Sequence, residues 1–149
     1  MSISGAGFRE KTLVKKKRVR AHRCSAASKR YMTHIKFWMG GIGYGMIELL
    51  WRGETHWSMV LTGGACLLAI CRVNKLLKSK HILIRAGVSA LVITAVELAV
   101  GLLVNCWWGM NVWDYSGMFG NVLGQICPLY SFLWFLLCIP ISAVLKGLK

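Results

Sequence analysis

The sequence is poor in negative charge: it has five acidic residues against 19 lysines and arginines. Charged residues of both signs make up only 16% of the chain, whereas hydrophobic residues make up 56% and the mean hydropathy is +0.53. A soluble domain is normally about one quarter charged. The composition therefore argues against an ordinary soluble domain and favours a membrane protein.

The sequence also lacks the motifs of common enzymes. It contains no GxSxG nucleophile elbow, no Walker A loop and no HExxH zinc motif. The four histidines and six cysteines show no spacing typical of metal ligands, and no CxxC occurs. We therefore expect no catalytic residue, no metal site and no cofactor. Any ATP hydrolysis that drives this chain would take place in a separate ATPase subunit.

A secretory signal is missing too, because the basic N-terminus is not followed by a short apolar core with a small-residue cleavage site. Eleven of the 19 basic residues lie between Arg9 and Lys36. Residues 1–33 are predicted to form a disordered cytoplasmic tail, which contacts the lipid bilayer if its charges meet anionic headgroups. Specific nucleic-acid binding is not expected, since the remaining basic residues flank apolar runs.

Four apolar runs predict four membrane spans within a transmembrane domain of residues 34–149. Eighteen of the 19 basic residues lie in the tail, in the 72–85 connection or at the C-terminal end, and the exception is Arg52. Because positive charge is retained on the cytoplasmic side, both termini are predicted to be inside. The expected fold is an all-α four-helix bundle. The spans cover about 37–51, 57–71, 86–104 and 126–145.

Small residues recur in the first two predicted spans. Gly41 and Gly45 form a GxxxG pattern, and Gly63 and Gly64 repeat the theme in the second span. In lipid, small residues at this spacing let two helix backbones approach closely. We expect the first pair to pack copies of the chain together, so that the protein is a homo-oligomer.

Two acids, Glu48 and Glu97, lie inside apolar spans, each 12 residues after a basic residue. The equal offsets are compatible with two related helical hairpins. A carboxylate at mid-bilayer is costly and usually faces protein or water. Glu97 is the better candidate for a proton or cation site, although a satisfied interhelical hydrogen bond is the alternative. Glu48 either pairs with Arg52 one turn away or meets Glu97.

The stretch between the last two spans, residues 105–125, is too rich in aromatic and amide side chains for a simple connection. Indole and phenol rings concentrate at the membrane–water boundary. The segment is either an interfacial loop or one that dips back into the membrane around 118–122. Its candidate polar and aromatic site, together with the first outer turn, comprises Trp113, Asp114, Tyr115, Asn121, Gln125, Arg52 and His56.

Two regions of the sequence resemble a known family. These are IELLWRGETHWSM at Ile47–Met59, followed by Gly63-Gly64, and the stretch Glu97–Leu137 with its elements VWDYS, NxxGQIC and LWF. They resemble the bacterial family of putative ABC-transporter type IV permeases. The resemblance implies a multi-pass protein of a bacterial plasma membrane and a role in transport, with no catalytic residue to carry over.

The function favoured by these features is a small transporter or permease-type component with an intramembrane acid as proton or cation site. One alternative is a non-transporting membrane scaffold or regulatory subunit that binds another membrane protein. A holin-like or channel-type pore is the second alternative. A water-lined path that reaches Glu97 would favour transport, and a dry bundle in which a neighbour satisfies Glu97 would favour the scaffold.

Overall fold

Four helices make up the fold of this chain, in a computed structural model that describes the backbone of residues 4–147 and the side chains of residues 27–147. No strand occurs within these residues; a single antiparallel bridge joins Val122 and Ile126. The predicted all-α fold is confirmed. The helices are α1 (Ser4–Arg52), α2 (Trp57–Leu76), α3 (Ile82–Gly101) and α4 (Pro128–Gly147), and a π-helical turn at Leu102–Trp107 continues α3.

Helix α1 begins at Ser4 and so includes most of the N-terminal tail, for which the sequence predicted disorder. Residues 8–39 contain neither glycine nor proline and are rich in lysine, arginine and alanine, which are good helix formers. The expected contacts of the tail with lipid fall mostly on side chains outside the described residues. The chain divides into two compact units, Met1–Ile35 and Lys36–Lys149. The second unit holds every site described below.

Three helical segments within the described residues are long and apolar enough to cross a membrane: Trp57–Leu76, Ile82–Trp107 and Pro128–Gly147. They coincide with the second, third and fourth predicted spans. The first predicted span, 37–51, is helical as the last part of α1 but is not one of the three. Four glycines and Glu48 reduce its hydropathy, and its membrane crossing remains a prediction.

The glycines of the first two spans bring α1 and α2 of the same chain together. A Cβ built at Gly63 would lie 2.3 Å from the Tyr44 Cβ and 2.7 Å from the Gly40 carbonyl oxygen. One built at Gly64 would meet the Phe37 ring at 2.7 Å, and one at Gly41 would lie 2.5 Å from the Val60 carbonyl oxygen. Close helix packing through small residues is therefore what these positions do.

This packing changes the interpretation of the GxxxG pattern. Gly41 faces Val60 of its own chain, so its face is already covered and is not open to a second copy. Gly45 is in looser contact, with 3.6 Å between its built Cβ and Val60 Cγ2. The prediction that both glycines join copies is wrong for Gly41, because α2 folds back on α1 through a turn of only four residues.

The main apolar core lies between α2, α3 and α4. It consists of Cys66, Ile70, Ala86, Ile93 and Cys138, all nearly inaccessible, with partly buried aromatic and aliphatic side chains around them. A smaller core of Tyr44, Met59 and Trp113 lies where the segment 108–127 covers one end of the helices. The candidate site is found at the border between these two cores.

Candidate functional site

Glu97 of α3 is the centre of the candidate site. Its side chain is only 6% exposed, and both carboxylate oxygens accept a hydrogen bond from another helix. The hydroxyl of Tyr44 on α1 donates to Oε1 over 2.6 Å, and the indole Nε1 of Trp134 on α4 donates to Oε2 over 2.8 Å. The carboxyl group thus ties three helices together at one point.

The two donors also pack against each other. The rings of Tyr44 and Trp134 are stacked, with centroids 5.1 Å apart and planes 25° from parallel. Indole is a donor only, whereas a phenol hydroxyl can donate or accept. The site can therefore hold Glu97 as a carboxylate with two donors. It can also hold a protonated carboxyl, which keeps the indole donor and directs its own proton to the phenol oxygen.

Glu48 pairs with Arg52 and makes no hydrogen bond with Glu97, which answers the question left open by the sequence. Its Oε1 lies 3.3 Å from Arg52 Nη1, and its Oε2 accepts a long bond of 3.5 Å from Thr55. Arg52 Nη2 donates to the Val112 carbonyl oxygen at 2.8 Å. The pair therefore connects the end of α1 to the segment that follows the π-helical turn.

A cavity of about 270 Å³ borders both this ion pair and the two donors to Glu97. Its walls are almost entirely apolar and aromatic, and its lining includes both donors to Glu97 while Glu97 itself lies behind them. Across it, Trp51 Nε1 donates to the Tyr130 hydroxyl at 3.1 Å, and the rings of Tyr115 and Tyr130 are stacked. The lining residues are Tyr44, Ile47, Glu48, Trp51, Arg52, Tyr115, Tyr130, Leu133, Trp134 and Leu137.

The segment from the π-helical turn to α4 is a folded unit held by amide side chains. Asn105 Nδ2 donates to Gln125 Oε1 at 2.7 Å and to the Trp113 carbonyl oxygen at 2.9 Å, and its Oδ1 accepts from the Val112 amide. Trp113 Nε1 donates to the Gln125 carbonyl oxygen. Glycine at position 101 leaves room for the Gln125 side chain, because a Cβ there would lie 2.5 Å from Gln125 Oε1.

The remaining predicted outer residues serve different purposes. Asn121 closes a turn through bonds to the Ser116 and Met118 carbonyl oxygens, and Tyr115 stands at the cavity, where burial raises the pKa of its hydroxyl. His56 caps the N-terminus of α2 by accepting a hydrogen bond from the Ser58 amide, and among the described residues it makes no hydrogen bond with the segment 108–127.

Asp114 is fully exposed at a tight turn of the segment 108–127. Its Oδ1 accepts hydrogen bonds from the hydroxyl and from the backbone amide of Ser116. These two bonds lower the pKa of the carboxyl below its ordinary value, because they favour the ionised form. Asp114 therefore shapes the turn and does not line the cavity.

Sequence reasoning missed three residues that complete the site: Tyr44, Trp134 and Asn105. Tyr44 and Trp134 stand in apolar spans, where an aromatic ring resembles ordinary core. The signal that could have identified them is chemical: each ring carries an O–H or N–H donor inside an apolar span, where a buried acid on another span can accept its hydrogen bond. No group of three or more histidine, cysteine or acidic side chains suited to a metal occurs within residues 27–147.

Comparison with protein-family models gives a match over most of the chain. The family model described as Putative ABC-transporter type IV matches residues 29–148, which is about four fifths of the chain. No curated protein and no solved structure matches the sequence.

Proposed function

We propose that this chain, which belongs to the Putative ABC-transporter type IV family, is the membrane-embedded component of a bacterial plasma-membrane transporter. In this proposal Glu97 takes up and releases a proton or a cation during the transport cycle. The observation that carries it is the position of Glu97, which is buried among three helices directly behind the wall of an aromatic cavity.

The contacts of Glu97 suit a group that changes its charge. A carboxylate in a low-dielectric interior is costly unless donors surround it. Tyr44 and Trp134 supply one donor to each oxygen, and they come from two different helices, α1 and α4. When the carboxyl is neutralised, both bonds become weaker, because they lose the charge that strengthens them. The change would loosen α1 and α4 from α3 together.

The cavity supplies the route to Glu97. Tyr44 and Trp134 line it on one face and bond Glu97 on the other, so a rotation of either ring would open the carboxyl to the cavity. The ion pair of Glu48 and Arg52 lines the cavity too, and Glu48 stands about one helical turn from Tyr44 on α1. A small molecule with aromatic or apolar surface and one polar group would match this lining.

A transporter of this kind requires an energy source. The chain has no Walker A motif, so we propose that a separate ATPase subunit associates with it. Self-association also belongs to the proposal. It would use surfaces other than the face of Gly41, which α2 already covers.

A second candidate function is that of a non-transporting membrane subunit. The specific observation in its favour is that both oxygens of Glu97 have partners inside the chain. In this candidate the carboxyl has a structural role alone, which is to fix three helices relative to one another.

Purification separates the two candidates. The tagged protein is extracted from its native membrane in mild detergent, and the proteins that accompany it are identified by mass spectrometry. We expect an ATPase in stoichiometric amount with the wild type and with Ser131→Ala, which removes another α3–α4 hydrogen bond, that to Thr94. The rate of ATP hydrolysis by the purified wild-type complex should depend on pH. The complex that carries Glu97→Gln should lose that dependence. A stable complex without any ATPase would support the non-transporting subunit instead.

A further inference from the structure

The end of the helical unit opposite the cavity contains a buried arginine. Arg85 lies in the first turn of α3, and its side chain is 2% exposed. Its Nε donates to Oδ1 of Asn74, in the last turns of α2, at 2.9 Å. Asn74 is buried as well, and its amide is fixed by a bond to the Ile70 carbonyl oxygen. The guanidinium is therefore held in one place.

No negative charge compensates this guanidinium within the described residues. The ion pair found there joins Arg52 to Glu48, beyond the other end of α2, and Glu97 lies 12 positions further along α3, roughly 18 Å away. The first turn of α3 contains no acidic residue. The hydrogen bonds of the described side chains leave both Nη atoms of Arg85 unused.

These two Nη atoms are within reach of a ligand. Among the described residues, Ser142 Oγ is the fully enclosed side-chain polar atom that has no partner. Because the Nη atoms are not enclosed in this way and bond no group of the described residues, they lie at the accessible edge of the buried side chain. A small acceptor that approaches this edge can occupy both.

The surroundings add positive potential to that edge. The N-terminus of a helix carries about half a positive charge, and Arg85 stands in the first turn of α3. The C-terminal end of α2, beside Asn74, offsets this only in part. The last turns of α2 and the connection 77–81 contain no acid. Their exposed basic side chains are Arg72, Lys75, Lys78 and Lys80.

We propose that Arg85 is the centre of a binding site for a phosphate group. Two free Nη donors in a planar fork match two oxygens of a phosphate, which is the geometry in which arginine binds anions best. The ligand is either the phosphodiester of an anionic phospholipid or a free phosphate ester. The Leu83 amide is already bonded to the His81 side chain, so the guanidinium is the principal donor.

A purely structural role for Arg85 makes a different prediction. If the hydrogen bond of Arg85 to Asn74 served only to hold α2 and α3 together, loss of the guanidinium would destabilise the protein under every condition. If the site is built for an anion, the empty site holds an uncompensated buried charge, which is unfavourable by itself. The sign of the effect in the absence of an anion therefore distinguishes the two roles.

The test measures the melting temperature of the full chain in nanodiscs. Wild type, Arg85→Gln and the control Lys78→Gln, which removes an exposed charge from the same connection, are compared in phosphatidylcholine alone with chloride buffer. Phosphatidylglycerol or inorganic phosphate is then added at constant ionic strength. Ligand that binds the folded state raises the melting temperature in proportion to its saturation of the site.

We expect Arg85→Gln to be at least as stable as the wild type without added anion, and to lose most of the anion-dependent rise that the wild type and Lys78→Gln show. Its apparent affinity should fall on the order of tenfold. A rise with phosphatidylglycerol alone identifies a lipid headgroup, and a rise with inorganic phosphate as well identifies a free phosphate site. If Arg85→Gln does not fold, Arg85→Lys, which keeps the charge but loses the fork, should bind phosphatidylglycerol more weakly in native mass spectra.

Three results would overturn the proposal. The first is an Arg85→Gln protein that melts below the wild type without added anion. The second is an equal anion-dependent rise, or none, in the wild type and in Arg85→Gln. The third is an Arg85→Lys protein that retains as much phosphatidylglycerol as the wild type. Any of these results would leave Arg85 with a purely structural role between α2 and α3.

Discussion

Tyr44 and Glu97 are 53 positions apart in the chain, and a hydrogen bond of 2.6 Å joins them in a buried position between α1 and α3. The same tyrosine packs its Cβ against Gly63 of α2 and stacks its ring on Trp134 of α4. One side chain therefore contacts all three other helices. Glycine at position 63 lets it fit, and Glu97 fixes its hydroxyl.

Replacing Tyr44 by phenylalanine should lower the free energy of unfolding by a moderate amount. The ring stack is kept, but Glu97 Oε1 loses its donor. Interhelical hydrogen bonds in membrane proteins contribute about 0.6 kcal/mol on average and at most about 1.7 kcal/mol. We expect a loss in that range in unfolding measurements in detergent. Tyr31→Phe, at an exposed position of α1, is the control and should have no effect. An equal effect of both substitutions would mean that the bond to Glu97 contributes nothing.

Adding a methyl group at Gly63 should be much more harmful. An alanine Cβ there would lie 2.3 Å from the Tyr44 Cβ and 2.7 Å from the Gly40 carbonyl oxygen, so α1 and α2 would have to separate. Overpacking of this kind costs about 1–3 kcal/mol. Thermal unfolding of Gly63→Ala should show the loss.

Gly43→Ala is the matched control for this substitution. It lies on the same pair of helices, but a Cβ there meets nothing within 4 Å. Since alanine favours the helix over glycine by about 1 kcal/mol, Gly43→Ala should be neutral or stabilising. If the melting temperature of Gly63→Ala equals or exceeds that of Gly43→Ala, then α1 and α2 do not pack as closely as described.

The helices α2, α3 and α4 could be predicted from the sequence, because each coincides with a long apolar run bounded by basic residues or tryptophans. Their boundaries were close to the predicted ones, whereas α1 begins at Ser4, well before the predicted first span. Pro128 opens α4, where a proline at the first helical position is favoured, and the third span continues to Trp107 through its π-helical turn. The 12-residue offsets also placed Glu48 and Glu97 inside their helices.

The rotation of each helix about its axis could not be predicted. Depth in the membrane follows from position in a span, but which side chains face one another depends on packing between residues far apart in the chain. The partners of Glu97 are 53 and 37 positions away. The pairing of Glu48 with Arg52, by contrast, was one of the two predicted possibilities, because residues four apart on a helix are neighbours.

The turn at Asp114 should respond to acid. Its carboxyl has a pKa below the ordinary value because Ser116 donates two hydrogen bonds to it. The ionised form is thus favoured by folding, and its contribution is complete above the unfolded-state pKa of about 3.9 and is lost as the pH falls through the lower folded-state pKa. Ser116→Ala should raise the pKa of Asp114 toward its ordinary value in a carboxyl NMR titration. An unchanged titration would contradict the assigned cause.

The membrane topology is predicted from the distribution of basic residues. Residues 52–56 and 105–125 should face outward, and the connection around residue 79 should face the cytoplasm. In a background without native cysteines, a membrane-impermeant thiol reagent should label Thr55→Cys in intact cells and Ser79→Cys only after permeabilisation. The reverse pattern would invert the orientation and place the cavity at the inner face.

The central claim is that Glu97 exchanges a proton or a cation in the folded protein, and infrared difference spectroscopy tests it most directly. Spectra of the reconstituted protein are compared as the pH crosses neutrality, and again as sodium is added at fixed pH. We predict a carboxyl carbonyl band that appears and disappears reversibly, is missing in Glu97→Gln, shifts in Tyr44→Phe and is unchanged in Ser131→Ala. Identical difference spectra for the wild type and Glu97→Gln would contradict the account and leave Glu97 as a structural hydrogen-bond acceptor.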